Sequence, residues 1–228
     1  MKSIVLADGD GPARDRLDAT WPGWSDGVEL VVAADGGARH AAGLGLQLDT
    51  WVGDGDSIGA EVLAELAARG VEIRRVAVAK DESDTELAVM TALEKGASEV
   101  IVLGAFGGRR FDHALANVGL LALPGLGERS MTLLDGSNRV TLIRAPGPDG
   151  GALRRALPGR IGDLVSLLPY GAGVEGVVTS GLAYPLRDEP LPAGPARGLS
   201  NVRSAADASV TVRRGLLLVV ESPATLDP

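Results

Sequence analysis

The chain has 228 residues, and its hydrophobic content of 45% with a mean hydropathy of +0.16 is enough to bury the core of one large or two smaller domains. Its net charge of −8, its 3% aromatic content and its lack of cysteine argue against a nonspecific nucleic-acid binder, a disulfide framework and thiolate metal sites. The apolar runs are too short for a signal peptide or a bilayer-spanning helix, so we expect a soluble cytoplasmic protein that binds neither nucleic acid nor membrane.

In the first part of the chain, patterns of short buried strands alternate with helical patterns, which is typical of parallel βαβ units. The strand patterns occupy residues 3–6, 29–33, 72–78, 99–103, 131–134 and 140–143. The helical patterns occupy residues 38–42, 59–69, 84–95 and 113–123. We therefore predict an N-terminal layered α/β/α domain with a mostly parallel sheet over residues 1–144.

The pattern changes after residues 145–151, a run of turn formers that we interpret as the connection between two domains. Short β patterns then follow one another without long helices, at residues 164–168, 174–179, 208–212 and 216–220. They predict a C-terminal antiparallel β sandwich or barrel-like domain over residues 151–228. The six residues from Gly171 to Gly176 match the dinucleotide pattern GxGxxG, but a strand pattern follows them, so we interpret them as a hairpin instead of a cofactor site.

Aspartates are concentrated in three glycine-rich stretches, each of which follows an apolar run and precedes a helical pattern. The stretches are Gly53-Asp54-Gly55-Asp56-Ser57, the segment from Lys80 to Glu86, and the segment from Gly104 to His113. Because the carboxyl ends of parallel strands meet at one edge of a sheet, we expect the three stretches to lie together. Carboxylates beside glycine backbone indicate a divalent metal with a phosphate group.

The first stretch has two interpretations. Asp54 and Asp56 are separated by one glycine and suit Mg²⁺, but the same pentapeptide also fits a surface turn that begins a helix. A calcium EF-hand is excluded, because Ile58 occupies a loop position where an oxygen ligand is required.

The second stretch contains a capping box, which gives Ser83 and Glu86 a structural explanation. The capping box does not require Lys80, Asp81 or Asp84, although acidic residues near a helix N-terminus are also mildly stabilising. Asp84 is therefore open to either a structural or a functional interpretation.

The third stretch is the best candidate for binding phosphate. Its backbone N–H groups precede a helix, and Arg109 and Arg110 add permanent positive charge. An ordinary strand-to-helix turn with Asp112 as the N-cap explains it about equally well. His113 does not form a zinc site, since no cysteine is available, and it is more consistent with orienting a neighbour than with acting as a base. The chain also has no Walker A motif, so a nucleotide would have to be bound in another way.

Taken in order, these motifs resemble those of the thiamine pyrophosphokinase family. They are Ala34-Asp35-Gly36-Gly37, the pentapeptide at 53–57, Lys80-Asp81 with Asp84 and Glu86, Gly107-Gly108 with Arg110, Asp112, His113 and Asn117, the segment from Ser180 to Leu186, and Ser200-Asn201. The resemblance covers most of the chain, with two departures. One extra residue between Gly108 and Asp112 leaves either arginine as the functional one, and we choose Arg110 by its spacing to Asp112. Val202 stands where the family commonly has an acidic residue.

The resemblance implies the transfer of pyrophosphate from ATP to the hydroxyl of thiamine, with release of AMP, by a homodimer that uses Mg²⁺. It assigns ATP and Mg²⁺ to the α/β domain and thiamine to the β domain. The implied metal ligands are Asp54, Asp56, Asp84 and Asp112, and the last three of these together with Arg110 are the implied catalytic residues. The implied ATP-binding residues are Asp35, Ser57, Lys80, Gly107, Gly108, His113 and Asn117. The implied thiamine-binding residues are Tyr184, Ser200 and Asn201.

Two other functions fit the same catalytic half. One is a pyrophosphokinase for another hydroxymethyl heterocycle, such as a reduced pterin. The other is a noncatalytic module that binds a nucleotide and Mg²⁺ but releases no AMP when thiamine is supplied.

Overall fold

The computed structural model describes residues 1–147 and 149–224. The chain divides into two compact units, Met1–Gly136 and Ser137–Pro228. Pro148 and residues 225–228, which fall within the predicted connection and the predicted C-terminal domain, lie outside the described residues. Within the described part of the chain, no helix has both the length and the apolar character needed to cross a bilayer.

Strands and helices alternate through the first unit. Its strands are β1 (Lys2–Leu6), β2 (Val28–Ala34), β3 (Thr50–Gly53), β4 (Glu72–Arg75), β5 (Glu99–Leu103) and β6 (Ser130–Leu134). Its helices are α1 (Arg14–Thr20), α2 (His40–Leu44), α3 (Ala60–Ala68), α4 (Asp84–Glu94) and α5 (Phe111–Leu120), with 3₁₀ turns at Asp35–Arg39 and Pro124–Leu126. The strands pair in parallel in the order β6-β5-β1-β2-β3-β4, which confirms the predicted parallel sheet.

Helices cover both faces of this sheet because successive strand side chains point to opposite sides. Ile4 and Leu6 of β1 belong to one buried cluster with Leu17 of α1 and Leu63 of α3. The intervening Val5 is fully buried, and α4 contacts β1, β2 and β3. The predicted α/β/α layering is therefore confirmed.

The strand order changes direction between β1 and β5. From β1 the chain advances through β2 and β3 to β4, and it then crosses to β5 on the other side of β1. The loops after β1 and β5 are joined by two hydrogen bonds, from Gly9 N to Gly104 O (2.9 Å) and from Asp10 N to Phe106 O (2.8 Å). A Cβ atom on Gly9 would overlap the carbonyl oxygens of Gly104 and Phe106, so only glycine allows this close approach. Open α/β sheets bind ligands at such a switch point.

The second unit consists of two antiparallel sheets. Its strands are β7 (Arg139–Ala145), β8 (Leu153–Ala156), β9 (Leu164–Pro169), β10 (Val174–Ser180), β11 (Arg187–Leu191), β12 (Asn201–Val202), β13 (Ser209–Val212) and β14 (Gly215–Ser222). They are ordered β12-β9-β14-β7 in one sheet and β11-β10-β13-β8 in the other. Val165 and Leu217 of the first sheet share a buried cluster with Val177 and Val210 of the second. The predicted C-terminal sandwich is confirmed.

Two connections in the second unit differ from expectation. A hydrogen bond of 2.8 Å from Gly147 N to Gly151 O lies between β7 and β8, and the division into units precedes β7. The reason is that β7 pairs with β14 along its whole length. The hairpin prediction for Gly171 to Gly176 is wrong, because this segment leads from β9 in one sheet to β10 in the other.

Candidate active site

A cleft of about 930 Å³ lies where the loops after β1, β2, β3 and β5 meet the starts of α4 and α5. Most of the nucleotide-site residues expected from the sequence line it: Asp35, Asp54, Ser57, Lys80, Asp84, Gly107, Gly108, Arg110, His113 and Asn117. Asp56 and Asp112 are not among the lining residues. The three glycine-rich stretches therefore share one cleft, but their aspartates do not all face it.

The loop after β3 separates the two aspartates of the first stretch. Asp54 Oδ1 accepts a hydrogen bond of 2.9 Å from the backbone N–H of Asp56. Such a bond from an aspartate to the backbone two residues later forms a tight turn. Asp54, the first residue of this turn, lines the cleft, whereas Asp56 is exposed and does not line it.

Asp35 provides a buried carboxylate at the end of β2. Its φ of 41° lies in the left-handed region, and its residue surface is only 6% exposed. Its backbone carbonyl accepts a hydrogen bond of 3.0 Å from Trp51 Nε1. Its Oδ1 atom is buried and has no hydrogen-bond partner among the described residues. Strained backbone and an unpaired buried oxygen are both costly, and their combination at a cleft indicates a functional role.

Lys80 and Asp84 form an ion pair at the start of α4, with 2.6 Å between Nζ and Oδ1. Helix α4 begins as the capping pattern predicts, because Ser83 Oγ accepts a hydrogen bond of 3.1 Å from Glu86 N. The cap fixes the first turn of the helix, and the first turn carries Asp84. One cation and one carboxylate are thereby held together at the wall of the cleft.

Glycines shape the loop that leads into α5. Gly107 and Gly108 have φ values of 74° and 76°, which side chains other than glycine rarely adopt. A Cβ atom on Gly107 would also overlap the Asp10 carboxylate. The loop brings backbone and the N-terminal end of a ten-residue helix, Phe111–Leu120, to the cleft. This arrangement suits an anion such as phosphate.

The two arginines of this loop have different surroundings. Arg110 donates two hydrogen bonds to the Asp112 carboxylate, one of them 3.1 Å from Nε to Oδ1. These bonds lower the pKa of Asp112 and raise the pKa of Arg110. The side chain of Arg109, which also lines the cleft, has no hydrogen-bond or ion-pair partner within the ranges that the structure describes.

Asn117 and His113 both belong to α5. Asn117 is buried, and its Nδ2 donates a hydrogen bond of 2.9 Å to the carbonyl of Ala105. This bond fixes the start of the β5 loop against the helix. His113 is exposed and lines the cleft.

The sequence did not identify three residues that line the cleft, Asp8, Gly9 and Arg39. The Arg39 guanidinium pairs with the Asp8 carboxylate and donates hydrogen bonds to the carbonyl groups of Asp8 (2.7 Å), Gly9 (3.1 Å) and Gly36 (3.0 Å). Asp8 and Gly9 follow β1 after one intervening residue, Ala7, and aspartate with glycine after a strand is the pattern that marked the other loops. The same criterion applied to β1 would have found them.

His40 contacts the backbone of the same loop. The distance from its Nε2 to the Gly9 carbonyl oxygen is 3.1 Å. Burial lowers the pKa of His40, and the positive charge of Arg39 lowers it further. The ring is therefore favoured in its neutral form, with Nε2–H as the donor.

The cleft residues fit a magnesium ion that arrives with a nucleotide. Among the described residues, no group of three or more acidic, histidine or cysteine side chains is arranged to hold a metal ion. Mg²⁺ does not need such a group, since it is commonly held by one or two carboxylates together with phosphate oxygens and water. Asp35, whose Oδ1 has no partner among the described residues, and Asp54 both line the cleft and provide this donor set.

The expected thiamine-binding residues lie in the second unit. Tyr184 is 62% exposed, and its backbone N–H donates a hydrogen bond of 3.0 Å to Asn201 Oδ1. Asn201 Nδ2 donates in return to the Tyr184 carbonyl at 2.7 Å. Ser200 precedes Asn201 with a φ of 56°, and its N–H donates to Ser166 Oγ at 3.0 Å. The structure thus brings Tyr184, Ser200 and Asn201 together.

Comparisons with known proteins agree for both units. Residues 24–130 match the family model described as thiamin pyrophosphokinase, catalytic domain, and residues 155–217 match the one described as thiamin pyrophosphokinase, vitamin B1 binding domain. The thiamine pyrophosphokinase of Bacillus subtilis (strain 168) is 25% identical over 222 residues, which are 97% of this chain and 99% of that protein.

Solved structures have the same fold. The crystal structure of thiamine pyrophosphokinase from Bacillus subtilis has a TM-score of 0.82 at 23% identity and covers 99% of this chain and 100% of its own. Thiamin pyrophosphokinase from Candida albicans has a TM-score of 0.77 at 16% identity and covers 97% of this chain and 90% of its own. Since the two matched family models together span most of the sequence, the chain belongs to the thiamin pyrophosphokinase family.

Proposed function

We propose that the cleft of the first unit carries out the reaction of this family, the ATP-dependent transfer of pyrophosphate to the hydroxyl of thiamine with release of AMP. One observation carries the assignment to this cleft. Asp35, whose buried Oδ1 has no partner among the residues that the structure describes, lines the same cleft as Asp54, Asp84 and the glycine loop at Gly107 and Gly108. Such a group is costly unless it binds a cation, and the loop is suited to the phosphates that would bring one.

The triphosphate would be held chiefly by backbone and fixed positive charge. The loop at Gly107 and Gly108 offers N–H groups, while Lys80, Arg109 and Arg110 supply cations at the cleft wall. These cations are needed because the protein has a net charge of −8, which repels polyanions at longer range. Ser57 and His113, which also line the cleft, are within our proposed nucleotide site.

Mg²⁺ bound with ATP would be held by Asp35 and Asp54, and it would neutralise charge on the phosphate oxygens during transfer. Asp84 lines the same cleft, and its Oδ1 lies 2.6 Å from Lys80 Nζ. We assign to Asp84 the acceptance of the thiamine hydroxyl proton, because it lines the cleft whereas Asp56 does not. Asp56 and Asp112 would act through the loops that they stabilise, next to Asp54 and Arg110 respectively.

Tyr184, Ser200 and Asn201 would form the thiamine site, and they all fall within the matched vitamin B1 binding domain. The reaction requires the thiamine hydroxyl to meet the β-phosphorus in line with the departing AMP. We further propose a cytoplasmic homodimer, as the family resemblance implies. Light scattering on the purified protein tests this state, and a monomer at working concentration would overturn it.

The activity is tested by incubating the purified protein with ATP, MgCl₂ and thiamine and measuring all phosphorylated products. We expect thiamine pyrophosphate and AMP in equal amounts and no ADP. Asp54→Asn and Asp84→Asn should abolish turnover, while Asp49→Asn serves as a control at the opposite, amino end of β3. Turnover with a reduced pterin in place of thiamine, or ATP binding without AMP release, would contradict the proposal.

A further inference from the structure

Three of the four hydrogen-bonding positions of the Asn201 side-chain amide are used within the protein. The residue is only 4% exposed. Its Oδ1 accepts hydrogen bonds from the N–H groups of Tyr184 (3.0 Å) and Val202 (2.9 Å), and its Nδ2 donates to the Tyr184 carbonyl at 2.7 Å. An amide oxygen has two acceptor sites, and both are used here. Asn201 is therefore poorly placed to bind a substrate directly.

These bonds attach one exposed loop to strand β12. The loop between β10 and β11 also pairs with the same segment through its backbone, from Ala183 N to Val202 O (2.8 Å) and from Ser204 N to Gly181 O (2.8 Å). The Asn201 amide extends this ladder by one residue, since it binds both the N–H and the carbonyl of Tyr184. The backbone of Tyr184 is thereby held on both sides of its Cα atom.

Tyr184 carries the exposed aromatic ring of the second unit. From Ser137 to the end of the chain, the sequence contains only two aromatic residues, Tyr170 and Tyr184. Tyr170 is half-buried, whereas Tyr184 is 62% exposed. Thiamine combines a cationic ring with a second aromatic ring, and an exposed phenol ring can stack on either through cation–π or aromatic contacts.

We propose that Asn201 is a positioning residue for thiamine, which acts by fixing the backbone of Tyr184 so that the tyrosine ring faces the substrate. The inference rests on the proposed function of the second unit as the thiamine site. This role differs from that of a direct contact. If Asn201 acts by positioning, its effect on thiamine binding depends on the presence of the Tyr184 ring, whereas the effect of a direct contact does not.

A double-mutant cycle separates the two roles. The four proteins are the wild type, Asn201→Ala, Tyr184→Ala and the double variant, and KM for thiamine, KM for ATP and kcat are measured for each. We expect each single variant to raise KM for thiamine by about tenfold, with kcat and KM for ATP changed by less than about twofold. In the Tyr184→Ala background, Asn201→Ala should change KM for thiamine by less than about twofold, since the ring that it orients is absent.

Three further variants keep the test decisive. Tyr184→Phe retains the ring and should keep KM for thiamine near the wild-type value. Asn138→Ala removes another asparagine amide of this unit, one that accepts a hydrogen bond from Ser222, and should leave KM for thiamine unchanged. If Asn201→Ala does not fold, Asn201→Asp replaces it, because aspartate keeps both acceptor bonds but cannot donate to the Tyr184 carbonyl.

The outcomes are distinguishable. Multiplication of the two single effects in the double variant would make Asn201 a direct contact and overturn the inference. An unchanged KM for thiamine in Tyr184→Ala would also overturn it while leaving the pyrophosphokinase reaction intact. A wild type that forms no thiamine pyrophosphate would instead refute the function on which the inference depends.

Discussion

Replacement of Asp35 by asparagine should make the protein more stable and nearly inactive. The carboxylate is 6% exposed and its Oδ1 has no partner among the described residues. An unsatisfied buried polar atom costs about 1–3 kcal/mol, and more when it is charged. Asparagine removes the charge and tolerates the φ of 41° at this position, because its short side chain is one of the few accepted in the left-handed region.

We therefore expect the ligand-free Asp35→Asn protein to be more stable than the wild type by about 1 kcal/mol or more. For a chain of this size, each kcal/mol corresponds to a rise in Tm of about 2–4 °C. Turnover should fall by at least about a hundredfold, the usual cost of removing a group that stabilises charge in a transition state. Differential scanning fluorimetry and the AMP-release assay measure the two effects on the same samples.

Addition of ATP with MgCl₂ provides a second, independent comparison. A ligand present at about a hundred times its Kd stabilises the folded protein by about 2.7 kcal/mol. The wild type should gain this stability and Asp35→Asn should not. Asp49→Asn is the matched control, since Asp49 Oδ2 accepts the Val31 N–H at 2.8 Å and lies away from the cleft, so activity should be retained. An Asp35→Asn protein that is less stable than the wild type and still active would refute the reasoning.

Three other predictions concern the cleft loops. Burial lowers the pKa of His40 below 6.5, so as pH falls His40 takes up a proton in the unfolded chain before it does in the folded protein. The contribution of His40 to folding stability is therefore complete above pH 6.5 and is lost as pH falls. Between about pH 7 and pH 5, Tm should fall more steeply for the wild type than for His40→Gln, and equal slopes would contradict this prediction. Gly107→Ala places a side chain at a φ of 74° at a cost of about 1–2 kcal/mol and should raise KM for ATP, whereas Gly43→Ala, whose Cβ meets nothing within 4 Å, should not. Arg110→Ala should raise KM for ATP more than Arg109→Ala, because it also leaves the Asp112 carboxylate without its partner; the reverse order would identify Arg109 as the main phosphate ligand.

The sequence predicted well where one physical signal dominates. Strand β5 was predicted at residues 99–103 and found at those residues, because a continuous apolar β-branched run in a parallel sheet has few alternatives. Helix α1 was missed because Leu17 is its only buried residue, so it has no apolar periodicity. Strand β11 was missed because it is an edge strand that contains Pro190 and three charged residues, Arg187, Asp188 and Glu189.

Sequence patterns were also insufficient to predict how the side chains of the site are arranged. Motifs and chain order indicated which loops meet, but the direction of each side chain depends on local hydrogen bonds that the pattern does not specify. The backbone N–H of Asp56 donates to Asp54 and the residue does not line the cleft, and Asp112 is paired with Arg110. Asp8 and Arg39 form their pair only because β1 and β2 are neighbours in the sheet.

The most direct test of the account is a crystal structure with Mg²⁺, thiamine and α,β-methylene-ATP, in which the bond that breaks during pyrophosphoryl transfer is replaced by a stable one. We predict that the phosphates lie against Gly107 and Gly108 and that the metal ion contacts Asp54 and the buried oxygen of Asp35. The tyrosine ring of Tyr184 should contact thiamine. Phosphates bound elsewhere on the protein, with Asp35 still unpaired, would contradict the central claim.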